Sequence, residues 1–369
     1  MRVLMISKAC VTGTYQRKLE ELARLPDIEL SLVVPPYWRD GRRILPLEKA
    51  HTTGYEMHLL PMVFNGHFHL HFYRGLGRLV REWQPHLLHI DEEPYNLATF
   101  QAMRLADRYG AQALFFTWQN QMRRYPFPFS WFERYNLQHA GCAIAGNQEA
   151  ARILRVKGYT RAAYVVPQFG VDPEVYRKDA SGARRDGAFV VGYAGRLVEE
   201  KGVQVLLRAV AGLDGDWQLR VIGDGPYRST LALLSVELSI EPRVVFEPWV
   251  PSAEMPRRLN GLDVLVLPSL TRSNWKEQFG RVLVEAMACQ VPVVGSSSGE
   301  IPNVIGEAGL VFPEGDHEAL RETLSQLMGD GNLRAALGER GRARVLERYT
   351  QERVAAQTYE AYQYLLGRA

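Results

Sequence analysis

The chain has 369 residues, is 46% hydrophobic and 23% charged, and carries a formal net charge of +3. The length suggests two domains of ordinary size, and the composition is normal for a soluble globular protein. No apolar run approaches the ~18 residues of a membrane span, no basic region with a long apolar core marks a signal peptide, and no cysteine pair has a metal-binding spacing.

Cys10, Cys142 and Cys289 lie far apart in apolar contexts and read as reduced core thiols of a cytoplasmic protein. Charge is uneven. Residues 1–168 hold 21 Lys and Arg against 14 Asp and Glu, and the remainder holds 23 against 27. A basic first half suggests an anionic partner, such as a lipid-linked phosphate acceptor or an anionic membrane met peripherally at its inner face; a nucleic acid is not expected. The competing reading is ordinary surface charge.

Residues 1–167 alternate strand-like and helix-like segments. These are Val3–Ser7, a helix near Tyr15–Arg24, Ile28–Pro35, Tyr55–Leu60, a helix near Tyr73–Trp83 and His86–Asp91. Then come a helix near Leu97–Tyr109, Ala113–Thr117, a helix near Phe129–His139, Cys142–Gly146, a helix near Gln148–Val156 and Ala163–Pro167. Such alternation predicts a doubly wound parallel sheet. The first βα turn holds one glycine, Gly13, which is not the full dinucleotide fingerprint. Arg39-Asp-Gly-Arg-Arg43 and Val63–Tyr73 read as loops. His67, His69 and His71 alternate, so on a strand they would share a face, but no carboxylate or cysteine accompanies them as a metal ligand. Packing, or an aromatic loop facing an acceptor or a membrane, explains them better.

Glu92 and Glu93 end one strand. Trp118, Gln119 and Asn120 end the next, where an amide can hydrogen-bond a sugar hydroxyl but cannot take a proton at neutral pH. All five are candidates for the acceptor side, with Trp118 equally readable as a core aromatic. Pro167-Gln-Phe-Gly-Val-Asp-Pro173 suits a linker.

The second series runs Phe189–Ala194, a helix after Lys201, Gln218–Ile222, a helix after Pro226, Arg243–Phe246 and a helix near Ala253–Asn260. Asp263–Leu267, a helix after Gly280, Val291–Val294 and Leu310–Phe312 follow, then three helical segments after Asp316. Gly195-Arg196 ends a strand and Lys201-Gly202 opens the next helix. Two cations flanking a βα loop fit a diphosphate, Arg196 bidentately and Lys201 as a point charge. Gly223-Asp224-Gly225 is a sharp turn at a strand end, and Asp224 either lies near a ligand or caps the next helix. Asp214-Gly-Asp216 matches a D-x-D metal motif but precedes a strand, so a turn is expected and no metal.

Trp275-Lys-Glu-Gln-Phe-Gly-Arg-Val-Leu-Val-Glu285 joins strand 263–267 to the next helix. Eight residues of helix between Glu277 and Glu285 would rise roughly 12 Å, too far to share one glycosidic bond, for which a hydrolase pair needs about 5 to 9.5 Å. The pair more plausibly grips two parts of one long ligand, with helix-start N–H groups at Gly280, Arg281 and Val282 for a phosphate. The competing reading makes Glu277 a helix cap and Glu285 a solvated helix residue.

The E-x7-E pattern Glu277 to Glu285 resembles the signature of retaining glycosyltransferases of family 4. Gly195–Gly202, Ile222-Gly-Asp-Gly-Pro-Tyr-Arg228 and Ser298-Gly-Glu-Ile-Pro-Asn-Val-Ile305 resemble further motifs of that family at the expected spacings. The likeness covers about 165–350 well and the first half loosely. It implies a GT-B fold: two Rossmann-like, doubly wound parallel-sheet domains facing a cleft. The domains would be 1–167 on the acceptor side and 168–350 on the donor side, with the last helix, 351–369, packing back on the first.

The resemblance implies transfer of a hexose, with retention, from a UDP- or GDP-linked nucleotide diphosphate sugar to a carbohydrate or lipid-linked acceptor hydroxyl, in polysaccharide, glycolipid or glycoconjugate synthesis. Glu277 would contact the transferred sugar, helped by the N–H groups of Phe279 and Gly280. Arg196 and Lys201 would hold the diphosphate in place of a metal, and Glu285 the ribose. Gly13, Gly195, Gly223, Asp224, Gly225, Arg281, Val282 and Leu283 would line the donor. The histidine that many relatives carry after the strand ending at Thr117 is missing, and Gln290 stands where they carry glycine. A nucleotide-sugar epimerase or hydrolase of the same fold, or an inactive nucleotide-sugar-binding partner subunit, are the alternative readings.

Overall fold

The computed structural model describes residues 1–41, 43–179 and 187–367. Arg42 of the basic run 39–43 lies outside the described residues, as do 180–186 of the second half and 368–369 of the last helical segment. The chain divides into two compact units, Met1–Gly170 with Gln351–Ala369, and Val171–Thr350. The first crossing falls three residues after the boundary read from the linker.

In the first unit the elements are β1 (Arg2–Ile6), α1 (Arg17–Ala23), β2 (Glu29–Val34), β3 (Tyr37–Asp40), β4 (Arg43–Pro46), β5 (Glu56–Leu59), β6 (Met62–Val63) and β7 (Phe72–Tyr73). Then follow α2 (Leu76–Trp83), β8 (Leu87–Ile90), α3 (Leu97–Tyr109), β9 (Gln112–Thr117), α4 (Phe129–His139), β10 (Cys142–Ala145), α5 (Gln148–Val156) and β11 (Ala163–Val165). The main sheet is parallel throughout, in the order β11-β10-β9-β8-β1-β2-β5. Its strands are near-continuous apolar runs, such as Val3–Ile6, because helices cover both faces. Local chemistry sets the helix ends. Asn147 caps α5 by accepting from the Ala150 N–H, and α3 stops at Gly110 with φ +72.

Two stretches depart from the sequence reading. The run 39–43, read as loop, belongs to an antiparallel hairpin of β3 and β4, with Asp40 opposite Arg43 and Gly41 at φ +59. A glycine opening a two-residue turn is a hairpin signal, masked here because the flanking residues are charged and largely exposed. The alternating histidines are not on a strand. Phe64–Leu70 is mostly turn, closed by His67 N–H to Phe64 O and Leu70 N–H to His67 O, so His67, His69 and His71 share no strand face.

The second unit contains β12 (Phe189–Ala194), α6 (Val203–Ala211), β13 (Trp217–Ile222), α7 (Arg228–Glu237), β14 (Val244–Glu247), α8 (Met255–Leu259) and β15 (Val264–Leu267). After these come α9 (Arg281–Ala288), β16 (Val293–Ser296), α10 (Ile301–Ile305), β17 (Leu310–Phe312), α11 (His317–Gly329) and α12 (Gly331–Arg348). Its six-stranded sheet is also parallel, in the order β14-β13-β12-β15-β16-β17. The last helix, α13 (Gln351–Leu365), belongs to the first unit. Val354, Ala355, Ala361 and Tyr362 join that unit's core; Tyr359 Oη donates to Asp27 at 2.6 Å and Tyr362 Oη lies 2.6 Å from His89 Nδ1. The three cysteines are free and buried, and burial raises each thiol to about 12.

Gln290, between α9 and β16, has φ +58, a left-handed conformation that disfavours a side chain. Gln290→Gly is expected to stabilise the second unit by about 1 kcal/mol, raising its melting temperature by roughly 3 °C. Urea and thermal unfolding of the two proteins measure it, and equal or lower stability of the glycine variant contradicts it.

Candidate active site

The strand order of the second sheet reverses between β12 and β15, and the crevice at the carboxyl ends of such a pair is where ligands bind in doubly wound folds. Two loops meet there, Gly195–Gly202 after β12 and 268–280 after β15. The Leu270 N–H donates to Glu200 O at 2.7 Å. Gly202, at φ +71, makes this approach possible, since a Cβ there would sit 1.8 Å from Pro268 O. The close approach carries Lys201 to Glu277, with Nζ 2.6 Å from Oε2. Ser269 Oγ donates to the same oxygen at 2.8 Å, and Lys201 Nζ lies 4.9 Å from the Trp275 ring centroid. Glu277 is only 7% exposed, and its carbonyl accepts from the Glu300 N–H at 3.1 Å. The stretches around Lys201, Glu277 and Ser298–Glu300, separate in sequence, thus converge.

The Gly195 and Gly223 turns interlock. The Gly195 N–H donates to Ile222 O at 3.0 Å, and a Cβ on Gly223 would lie 2.0 Å from Gly195 O. Gly225 abuts Leu197 O. Asp224 does not cap α7, whose N-cap is Tyr227 with no side-chain bond. Instead it accepts from the Trp249 N–H at 3.1 Å and from Arg228 at 3.3 Å. Arg196 is exposed, and among the described residues its guanidinium meets no carboxylate. An exposed cation on the same loop as an ion pair, at a switch point, is equipped to take an anionic group.

The helical rise assumed between the two glutamates needs correction. Gly280, at φ +77, is the N-cap of α9, so Glu277–Gly280 is not helical. Only Arg281–Glu285 follows the helix, a rise of about 6 Å, and Glu285 stands one turn in rather than two. Neither glutamate caps the helix and neither is solvated. Glu285 is 6% exposed and bound by Arg281 Nε at 2.8 Å. Burial raises its carboxyl above the usual range, opposed by Arg281 and Tyr176. Phe279 packs edge-on against Tyr349, ring centroids 5.7 Å apart. Val282 is half-buried; Leu283 is fully buried and its N–H donates to Gly280 O at 2.8 Å.

In the first unit the strand order reverses between β1 and β8. Ser7 Oγ donates to Asp91 at 2.6 Å, and Lys8 pairs with Glu92. Burial opposes ionisation of Glu92, but Lys8 and His71 outweigh it and hold the carboxyl at about 2. Burial dominates at Glu93 and raises it to about 7, against hydrogen bonds from Thr117 Oγ1 at 2.6 Å and the Trp118 N–H at 2.8 Å. Trp118 Nε1 donates to Gln168 at 2.8 Å; Gln119 accepts from Lys157 at 2.8 Å; Asn120 is buried. Gly13 lies in a short 3-10 turn, and its N–H donates to Glu48 at 2.7 Å, so an acid of this chain holds the amide expected to reach a phosphate. The structure therefore gathers Glu93, Trp118 and Gln119, and sets Glu92 with Lys8.

Lys8, Ser269 and Tyr176 were not singled out in the sequence. The available signal for the first two is position, each standing just beyond a strand's carboxyl end. Among the described residues, no group of three or more His, Cys, Asp or Glu is placed to hold a metal, and no helix is long and apolar enough to cross a membrane.

The chain is similar to known proteins. Residues 176–344 match the family described as glycosyl transferases group 1, and residues 12–168 match the glycosyl transferase 4-like domain. The lipopolysaccharide core biosynthesis glycosyltransferase LpsE of Rhizobium meliloti is 31% identical over 249 residues, 66% of this chain and 67% of LpsE. A GDP-mannose-dependent phosphatidylinositol monomannoside mannosyltransferase of Mycolicibacterium smegmatis is 35% identical over 161 residues, and the match spans only 42% of that protein's length. Among solved structures, sucrose-phosphate synthase from Thermosynechococcus elongatus superposes with a TM-score of 0.78 at 20% identity, covering 100% of both chains. Anabaena HepE in complex with UDP does so at 0.77 and 18%, covering 98% of this chain and 100% of HepE. The fold is GT-B, as the resemblance implied.

Proposed function

The chain belongs to the group 1 glycosyl transferases, and from that premise we propose that it transfers a hexose from a UDP- or GDP-linked sugar to a hydroxyl of a carbohydrate or lipid-linked acceptor, with retention at the anomeric carbon. The observation that carries the reading is the Lys201–Glu277 pair at the switch point of the second sheet, with Arg196 exposed on the same loop. A diphosphate placed at this loop meets both cations, and a sugar attached to it lies toward Glu277. In the reaction the bond between the anomeric carbon and the diphosphate oxygen breaks, and its electron pair stays on the diphosphate. Arg196 and Lys201 offset the charge that develops there. The acceptor oxygen forms the new bond and releases its proton to the departing diphosphate. Glu285, one turn further on, is suited to the ribose hydroxyls.

The test is a thermal-shift panel of nucleotide sugars, followed by NMR of the product formed from an α-linked donor. Stabilisation by one nucleotide sugar and an α-linked product are expected. No stabilisation by any of them, or donor turnover without an acceptor, defeats the proposal.

A metal-free reaction is part of this reading, because Arg196 and Lys201 stand where a cation would otherwise be needed. Activity in EDTA is expected to stay within about twofold of that with Mg²⁺ or Mn²⁺. Loss in EDTA with recovery on adding either ion overturns it.

A further inference from the structure

We propose that the first unit carries a docking site for anionic phospholipid at a bilayer surface, built around the N-terminal end of α4 and the loop before it. A cavity of about 630 Å³ opens there, lined by Arg123, Arg124, Ser130 and Arg134, with Lys157 and Glu133 pairing within it. Glu133 is thereby neutralised, leaving the cavity wall with three guanidinium groups. Among the described residues those of Arg124 and Arg134 meet no carboxylate. Guanidinium groups converging on a cavity suit a phosphate oxyanion.

The same segment exposes its large apolar side chains. Phe127 is 81% exposed, Met122 52% and Trp131 46%. Apolar tips of this size are costly to leave in water, and aromatic rings flanked by arginine settle at the headgroup level of a membrane. A second, apolar groove of about 920 Å³ runs along α3 and is bordered from α4 by Tyr135; Phe72, Leu97, Phe100 and Leu105 wall it, with exposed Arg104 and Arg108. Its acid, Asp107, is engaged by Tyr135 Oη and lies 3.7 Å from His139. Arginines for headgroups and protruding rings on α4 and the loop before it, with an apolar groove between α4 and α3, match an anionic bilayer. A nucleic acid would match the charge but leave the groove unused. The excess of basic residues in 1–168 has the same sign.

The test is co-sedimentation of the full chain with phosphatidylcholine vesicles, with and without phosphatidylglycerol. Binding is expected only where the anionic lipid is present, and it should weaken as salt rises. Arg123→Gln/Arg124→Gln/Arg134→Gln should lose roughly 100-fold in vesicle affinity, at about 1 kcal/mol per arginine. Phe127→Ser/Trp131→Ser should lose roughly tenfold or more. Both variants alter exposed side chains, and both should keep wild-type melting temperature and nucleoside diphosphate affinity. Equal binding to both vesicle types, or wild-type binding by the arginine variant, overturns the proposal. So does full competition by free glycerol phosphate, which would mark a small-anion site, or stronger retention by a single-stranded oligonucleotide than by vesicles.

Discussion

Glu277→Gln should lower kcat by roughly 100- to 1000-fold while leaving nucleoside diphosphate affinity unweakened. The reason lies in what surrounds the carboxylate. It is buried and shares one oxygen between Lys201 Nζ and Ser269 Oγ. An amide of the same shape retains the Ser269 contact but not the charge that balances Lys201. The product nucleoside diphosphate has no sugar, so it should not register the loss, whereas the transition state should. Glu285→Gln should behave differently, because Glu285 is held by its own partners, Arg281 and Tyr176. If it grips the ribose, which donor and product share, its loss weakens both by roughly tenfold as uniform binding. The measurement is kcat, KM and the product dissociation constant for both variants. Identical patterns would end the division of labour; full activity in both would move the site elsewhere.

Arg196→Ala and Lys201→Ala should each weaken nucleoside diphosphate binding by roughly 2 to 4 kcal/mol, read by calorimetry. The two losses should differ in kind. Among the described residues Arg196 has no carboxylate partner to strand, so its truncation should act on binding alone. Lys201 holds Glu277, so its truncation leaves a buried carboxylate with one fewer donor and should lower kcat as well. Lys201→Ala/Glu277→Gln removes both halves of the pair. Its deviation from additivity should be roughly 1 to 3 kcal/mol, as for residues in direct contact. Unchanged affinity in both single variants would remove these loops from the donor site.

Strand and helix positions were legible because parallel strands covered on both faces are apolar runs of the right length, and several helices, α3, α4 and α5 among them, fall at the expected residues. The β3–β4 hairpin was not, because its pairing rests on backbone bonds and a turn rather than on a buried face. The donor-side candidates were legible as short motifs at strand ends. That Glu277 and Lys201 form one ion pair was not, since it depends on Gly202 letting two loops approach to a distance no spacing rule encodes. The helical rise applied across Glu277–Glu285 failed for a local reason: the helix begins after Gly280, whose left-handed conformation marks its start, so Glu277–Gly280 is loop and takes no helical rise. The Glu48 bond to Gly13 was hidden because 35 residues separate the two.

The placement of α13 has a consequence for how the polypeptide is made. Sequence order and structural order disagree: the second unit interrupts the first as an insertion, leaving it at Gly170 and rejoining it at Gln351. The two junctions are neighbours, since Gln351 Nε2 donates to Gly170 O at 2.8 Å and Val171 bridges Thr350 in parallel. On the ribosome the insertion can therefore close its own core while its host still lacks Val354, Ala361 and Tyr362. The amino-terminal unit, begun first, is completed last, and holds an unfilled apolar face against α1 until the final helix emerges.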